Sequence, residues 1–158
     1  MRKIFLINPV APDKKGFIRI GRCQTQIQPG GNAWPPIDLA LIGTCLKKRD
    51  ADYDLLLYDA QLDKDYHAMM DSIERSQAEV FILNCTTPTF HYDIALARNI
   101  KSIHNRAFII FFGLHAATLP MEIMENSVVD CCVTDEAEEV IPDVCGIYFK
   151  QGRGALNG

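Results

Sequence analysis

Apolar positions along the chain fall into short unbroken runs separated by stretches with helical spacing. Lys3 to Asn8 is a brief apolar run ended by Pro9 and Pro12, and Asp54 to Asp59, Glu79 to Asn84 and Val128 to Thr134 are runs of the same kind. The longest, Ala107 to Phe112, holds six apolar residues without a polar interruption. Runs of this length predict strands, and the absence of alternation predicts burial on both faces, as in the centre of a parallel sheet. Pro35-Pro36 opens a helix through about Arg49, with Asp38 in its first turn where a carboxylate suits the helix dipole. Asp63 begins a second helix, whose Tyr66, Met69, Met70 and Ile73 recur at helical spacing as a core stripe before Ser76-Gln77 ends it. A third helix runs from about Phe90 to His104, and Thr118 caps a short one that carries Pro120 near its start and reaches Glu125. Asp135 to Glu139 starts the last helix, which Pro142 is expected to cut short; Gly146 to Lys150 then reads as a small terminal strand or hairpin arm, with Gln151 to Gly154 as a turn.

Five strands, each followed by a helical pattern with short connections, predict a right-handed parallel α/β sandwich. The expected architecture is a Rossmann-like, flavodoxin-like three-layer sandwich with strand order 2-1-3-4-5 and a small C-terminal strand or hairpin. In the first helix, Ile37, Ala40, Leu41, Thr44 and Cys45 form one stripe, and Leu39, Ile42 and Leu46 nearly complete the ring. That helix is therefore expected to be largely buried, with Gly43 permitting close packing. Residues 10–34 show no periodicity and are interrupted by Gly16, Gly21, Pro29, Gly30 and Gly31. A loop of that length in a small domain is functional or disordered. Its Phe17, Ile18, Ile20, Ile27 and Trp34 predict that it folds back on something.

The length of 158 residues fits one domain, 1–158, with one sizeable core. A net charge of −4 with dispersed Lys and Arg argues against a nucleic-acid backbone binder. The apolar run near Met1 is too short for a secretory signal, and no run has transmembrane length. Cys23, Cys45, Cys85, Cys131, Cys132 and Cys145 show no CxxC and no zinc-finger spacing. Together these features predict a reduced, cytoplasmic protein with neither nucleic acid nor membrane as partner.

Candidate chemistry lies at the predicted carboxyl ends of the strands, where open α/β sheets bind ligands. Gly113 to Thr118 follows the longest strand and is either a ligand loop or a tight strand-to-helix turn with a solvated His115. Cys85-Thr86-Thr87-Pro88-Thr89 places three threonines in four residues at the end of the third strand. Capping accounts for one, Thr89, and the others suit a polar ligand such as a phosphate or an amide. Asp59 could meet a ribose hydroxyl but fits a turn better. His67, His91 and His104 read as solvated, and Cys131-Cys132 would point to opposite faces of a strand. No G-x-G-x-x-G, P-loop, G-x-S-x-G or HExxH motif is present, and no nucleophile–base pair can be named.

Asn8-Pro9-Val10-Ala11-Pro12, Gly21-Arg22 and Trp34 to Ile42 resemble the start of the cobalamin-binding domain of cobalamin-dependent radical S-adenosylmethionine (SAM) enzymes, a group that includes the anaerobic magnesium-protoporphyrin monomethyl ester cyclases and several methyltransferases. Thr86-Thr87-Pro88-Thr89-Phe90, Phe112-Gly113-Leu114-His115-Ala116-Ala117 and Asp135-Glu136-Ala137-Glu138 are similar to that family's loops after the third, fourth and fifth strands. Gly146-Ile147-Tyr148-Phe149 matches the segment that precedes the radical SAM domain, so residues 146–158 would form a tail leading toward a domain absent from this sequence. The resemblance implies that Thr86, Thr87, Thr89, Gly113, His115, Ala116, Thr134, Asp135 and Glu136 line a cobalamin site, with Asn8 and Pro9 at its edge. It also implies that cobalt needs no histidine ligand from the chain. The Asp-x-His-x-x-Gly motif of mutases is absent, and Asp65-Tyr66-His67 imitates only its first half.

The family pattern Gly-Gly-Pro-His is here Phe112-Gly113-Leu114-His115, and Asp135 and Ala137 stand where both glycines of Gly-Glu-Gly-Glu would be. The radical SAM signature CxxxCxxC is missing, so SAM and a [4Fe-4S] cluster would belong to a partner domain in cis or in trans. The sequence therefore predicts a cobalamin-binding module of a radical SAM-type system, not catalytic by itself. The altered glycines leave a second reading: a degenerate flavodoxin-like domain with a structural or protein-interaction role and no cofactor.

Overall fold

A computed structural model describes residues 2–20, 25–27 and 31–156. Five parallel strands form one sheet: β1 (Arg2–Asn8), β2 (Tyr53–Asp59), β3 (Val80–Asn84), β4 (Phe108–Phe112) and β5 (Cys131–Cys132), in the order β2-β1-β3-β4-β5. The helices are α1 (Ile37–Arg49), α2 (Tyr66–Ser76), α3 (Phe90–Ile103), α4 (Leu114–Thr118), α5 (Pro120–Met124) and α6 (Ala137–Gln151), with 3₁₀ turns at Thr87–Thr89 and Arg153–Leu156. This is the sheet expected from the pattern of apolar runs.

Period-two side-chain alternation divides the interior in two. Phe5, Ile7, Phe81, Leu83, Ile109 and Phe111 face α2 and α3, where Met69, Ile73, Ala97 and Ile100 pack. Ile4, Leu6, Val80, Ile82, Phe108 and Ile110 face the other way, onto Leu39, Ile42 and Leu46 of α1 and Ile141 and Cys145 of α6. Cys132 belongs to the first layer and Cys131 to the second, so the adjacent pair does point to opposite faces. Burial holds these thiols protonated: Cys131 is pushed up to about 11 and Cys145 to about 12.

The structure corrects several expectations. Pro142 does not end the last helix. α6 continues to Gln151, and the expected terminal strand or hairpin at 146–150 is helix. Proline at this position removes the N–H that would reach the carbonyl of Glu138 and crowds that carbonyl with its ring. The stripe Val140, Ile141, Val144, Cys145, Tyr148 and Phe149 outweighs that loss by packing on the sheet. Tyr148 stacks on Phe108 at 4.6 Å, and Phe149 lies 5.5 Å from Tyr53. α1 is not largely buried. Leu39, Ile42 and Leu46 face the sheet, whereas Ile37 and Leu41 are exposed. A methyl at Gly43 would make only an ordinary contact with Leu55, at 3.9 Å, so close packing does not require glycine there. β5 is reduced to two residues. Thr118 does not cap α5; it is the last residue of α4, and its hydroxyl donates to the Leu114 carbonyl at 2.6 Å. α2 begins one turn later than expected, with Asp65 as the cap that accepts from the N–H groups of His67 and Ala68.

The long loop does fold back. Phe17 and Gln26 form an antiparallel bridge, Phe17 and Ile27 are buried, and the Phe17 ring lies 6.2 Å from Tyr92. Trp34, by contrast, is exposed. Gly21-Arg22, together with Pro29 and Gly30, lies outside the described residues.

Candidate functional site

All five strands run the same way, so their carboxyl ends and the loops after them share one edge. The register pairs Asn84 with Phe112 there. A cleft of about 510 Å³ opens beside that pair, with Ile42, Phe112, Leu114 and Ala117 as apolar wall and Asp38, Asn84, Asp135, Glu136 and Glu138 as polar wall. Arg19 and Ile20 of the long loop close its side toward β1.

Arg19 determines where the cleft lies. In an open sheet of this order the natural crevice is between β1 and β3, where the winding reverses. Here the Arg19 guanidinium enters that region and donates to the Asn84 carbonyl at 2.6 Å, to Thr89 Oγ1 at 3.1 Å and to both carboxylate oxygens of Asp93 at 2.9 Å. Asn84 returns its Nδ2–H to the Arg19 carbonyl at 3.1 Å and to Asp38 Oδ2. The open volume is therefore displaced toward β3, β4 and β5.

Gly113 makes the turn out of β4 possible. Its φ of +104° lies in a region that L side chains rarely adopt. A Cβ there would overlap Asn84 Oδ1 and come within 3.0 Å of the Cys85 carbonyl oxygen. In Phe112-Gly113-Leu114-His115 the backbone therefore requires glycine at 113. Among the described residues Asn84 Oδ1 has no hydrogen-bond partner, although its residue is only 5% exposed. A buried acceptor left in this state is uncommon and points to a donor supplied by something else.

The sequence-predicted residues divide into three groups. Gly113, Thr134, Asp135 and Glu136 line the cleft together. Thr86 and Thr89 are fully buried: their hydroxyls lie 2.7 Å apart, and Thr89 donates to Asp93 at 2.6 Å. They hold the Arg19 network from below and do not border the cleft. Ala116 is buried, and His115 is 2% exposed, stacked on Phe90 at 4.5 Å with Nδ1 3.2 Å from the Oγ1 of exposed Thr87 and Nε2 3.5 Å from Glu122. His115 is thus an interior residue and not the solvated one expected if this segment were a plain turn. Asn8 donates to Asp59 at 2.8 Å, and the Pro9 carbonyl accepts from buried Gln61. Both brace the corner after β1, and Asn8 borders a small recess shared with Trp34, Asp38 and Asn84. Asp59 also accepts from the Gln61 N–H at 3.1 Å, which is the turn role. His104 Nε2 donates to the Ile73 carbonyl, 2.9 Å away, rather than lying free in solvent.

Sequence reasoning missed Arg19, Asp38 and Asn84. Asp38 gave the signal of a helix-start charge, and Asn84 that of a strand end. Arg19 gave none, because it sits in the segment without periodicity. Burial raises the Asp38 carboxyl above its ordinary range, against the opposing hydrogen bonds from Asn84 and the Leu39 N–H.

The family of B12 binding domains matches residues 28–145, three-quarters of the chain. The chain belongs to that family. No curated protein matches it in sequence. Membership implies cobalamin as ligand and agrees with the observed sheet order. The cleft also suits that ligand chemically: its apolar wall matches the faces of a corrin ring, and Asn84 Oδ1 with the carboxylates offers acceptors to the ring's peripheral amide N–H groups. Among the described residues no three His, Cys, Asp or Glu side chains are grouped as metal ligands, and no helix is long and apolar enough to cross a membrane.

Proposed function

We propose that this chain is the cobalamin-holding module of a radical SAM-type system, carrying the corrinoid at the carboxyl ends of its parallel strands and performing no chemistry alone. The observation that carries the reading is the cleft at Gly113, Thr134, Asp135 and Glu136, at the edge where a B12-binding domain is built to receive its ligand. Bound cobalamin supplies a cobalt centre able to carry alkyl groups; the chain's own part is to hold it, exclude water from one face and leave the other open. The partner is a radical SAM domain, in cis or in trans, bringing SAM and its [4Fe-4S] cluster. Trp34, Ile37, Leu62, Leu114, Leu119 and Met121 favour such a partner, because all are exposed apolar side chains. The whole of 1–158 acts as one module, in a reducing cytoplasm that suits the free thiols among its described residues.

The test is titration with hydroxocobalamin, followed by visible absorbance and gel filtration. Co-elution of colour with protein at micromolar concentration is expected. A colourless protein peak would favour the second reading, a degenerate domain with a structural role; the Arg19 side chain lying across the β1/β3 crevice is the observation on that side.

A further inference from the structure

Among the described residues the charge of the cleft is one-sided. Asp38, Asp135, Glu136 and Glu138 stand on its wall, and Arg19, the cationic side chain lining it, meets Asp93 with both arms of its guanidinium. The amino ends of two long helices open here, α1 beginning at Ile37 and α6 at Ala137. Such ends ordinarily favour an anion. In this chain carboxylates of the protein already stand at both: Asp38 accepts from the Leu39 N–H at 2.8 Å in the first turn of α1, and Glu138 and Glu139 put negative charge in the first turn of α6 directly after Glu136, without a side-chain cap hydrogen bond. Asn84 adds one more acceptor, its unpartnered Oδ1. The wall thus offers acceptors and negative charge, and its preferred ligand presents N–H donors or positive charge.

A complete cobalamin meets half of that description. Its corrin ring carries amide donors and, with trivalent cobalt, net positive charge; its nucleotide tail carries a phosphodiester anion. We propose that the cleft selects among corrinoids by charge, accepting the amide-bearing ring and disfavouring the phosphodiester, so that cobinamide, which lacks the nucleotide tail, binds more tightly than cobalamin. This rests on the reading that the cleft holds a corrinoid. Asp135 and Glu136 are exposed, so solvent and salt screen them, and the expected discrimination is moderate, about tenfold at low ionic strength.

The experiment titrates the full chain separately with diaquacobinamide and aquacobalamin at low and at molar salt. It then repeats the low-salt pair with the triple variant Asp135→Asn, Glu136→Gln, Glu138→Gln, whose fold is checked by circular dichroism. Should the triple variant not fold, Asp135→Asn alone serves, with a proportionately smaller shift. The expected result is a cobinamide Kd about tenfold below that of cobalamin, a gap that molar salt and the neutral variant each largely close. Displacement of the tail's own base from cobalt also penalises cobalamin, but neither salt nor these substitutions would remove that penalty. Equal or tighter binding of cobalamin, or a gap that persists in the neutral variant, overturns charge selection and leaves cobalamin binding standing. Binding of neither corrinoid overturns both.

Discussion

The guanidinium of Arg19 meets the carboxylate of Asp93 side-on, with both N–H···O distances at 2.9 Å, and neither side chain is more than 4% exposed. This pair joins the long loop to α3 through the interior. Breaking a buried pair by removing one partner costs about 3–5 kcal/mol, because the other charge is left uncompensated, whereas replacing both by apolar groups is often close to neutral. Asp93→Ala is therefore expected to lower the unfolding free energy by about 3–5 kcal/mol in urea. The double variant Arg19→Met, Asp93→Leu should recover much of that loss. An Asp93→Ala protein as stable as the parent would show that the pair does not anchor the loop.

Gly113 and Asn84 are coupled in the same way. Alanine at 113 must adopt φ of +104° and push against Asn84 Oδ1 and the Cys85 carbonyl. Backbone strain and overpacking each cost about 1–3 kcal/mol. Gly113→Ala is expected to destabilise by about 2–4 kcal/mol on that basis. Adding Asn84→Ala should return part of the loss, since it removes the overlapping oxygen but neither the positive φ nor the carbonyl. A double-mutant cycle in denaturant measures the coupling; strict additivity would contradict it.

At the opposite end of β4, Asp130 accepts from the Ile109 N–H at 2.7 Å and from Lys101 at 2.6 Å, and Arg153 reaches it at 3.1 Å. Asp130 is 8% exposed and Arg153 is 45% exposed. Asp130→Ala strands a backbone donor and a half-buried ammonium, so about 2–3 kcal/mol of destabilisation is expected. Arg153→Ala removes a screened surface arm and should cost under about 1 kcal/mol. Thermal melts of the two variants check the order. If Arg153→Ala proves the more damaging, the terminal 3₁₀ turn has a larger role than its ion pair suggests.

The sheet was legible because β3 and β4 are buried on both faces and so carry unbroken apolar runs. The cleft was legible only where the signal was local: Gly113 at a strand exit and Asp135-Glu136 before a helix. The residues that shape its other wall come from afar, since Arg19 and Asn84 are 65 positions apart in the chain yet bond to each other twice. Nothing in local spacing encodes such a meeting. Thr86 and Thr89 show the converse. Their pattern signalled more polar groups than one cap needs, but the two hydroxyls pair with each other in a capping box and Thr89 also meets Asp93 and Arg19, so both are used internally. At Pro142 a sound local rule was overridden by the apolar face that carries α6 on to Tyr148 and Phe149.

Asp38 offers a pH test of the cleft. Burial raises its carboxyl above the ordinary 3.8, and the hydrogen bonds from Asn84 and Leu39 offset this only in part. Between the unfolded value, near 3.9, and the raised folded value, the native state holds a proton that the unfolded chain has released. Linkage then fixes the sign: the contribution of this group to stability is greatest below the unfolded value, falls as pH rises through that window, and is constant above it. Asp38→Asn is a poor probe, because the Asn84 amide and the Leu39 N–H would both need an oxygen and only one would remain. The direct measurement is a carbon NMR titration of the Asp38 carboxyl in the intact protein, with a midpoint expected above 3.8. A cationic corrinoid in the cleft should pull that midpoint down, since positive charge favours the carboxylate. A free-protein midpoint at or below the ordinary value would mean that water reaches Asp38 and that this wall of the cleft is more open than its burial implies.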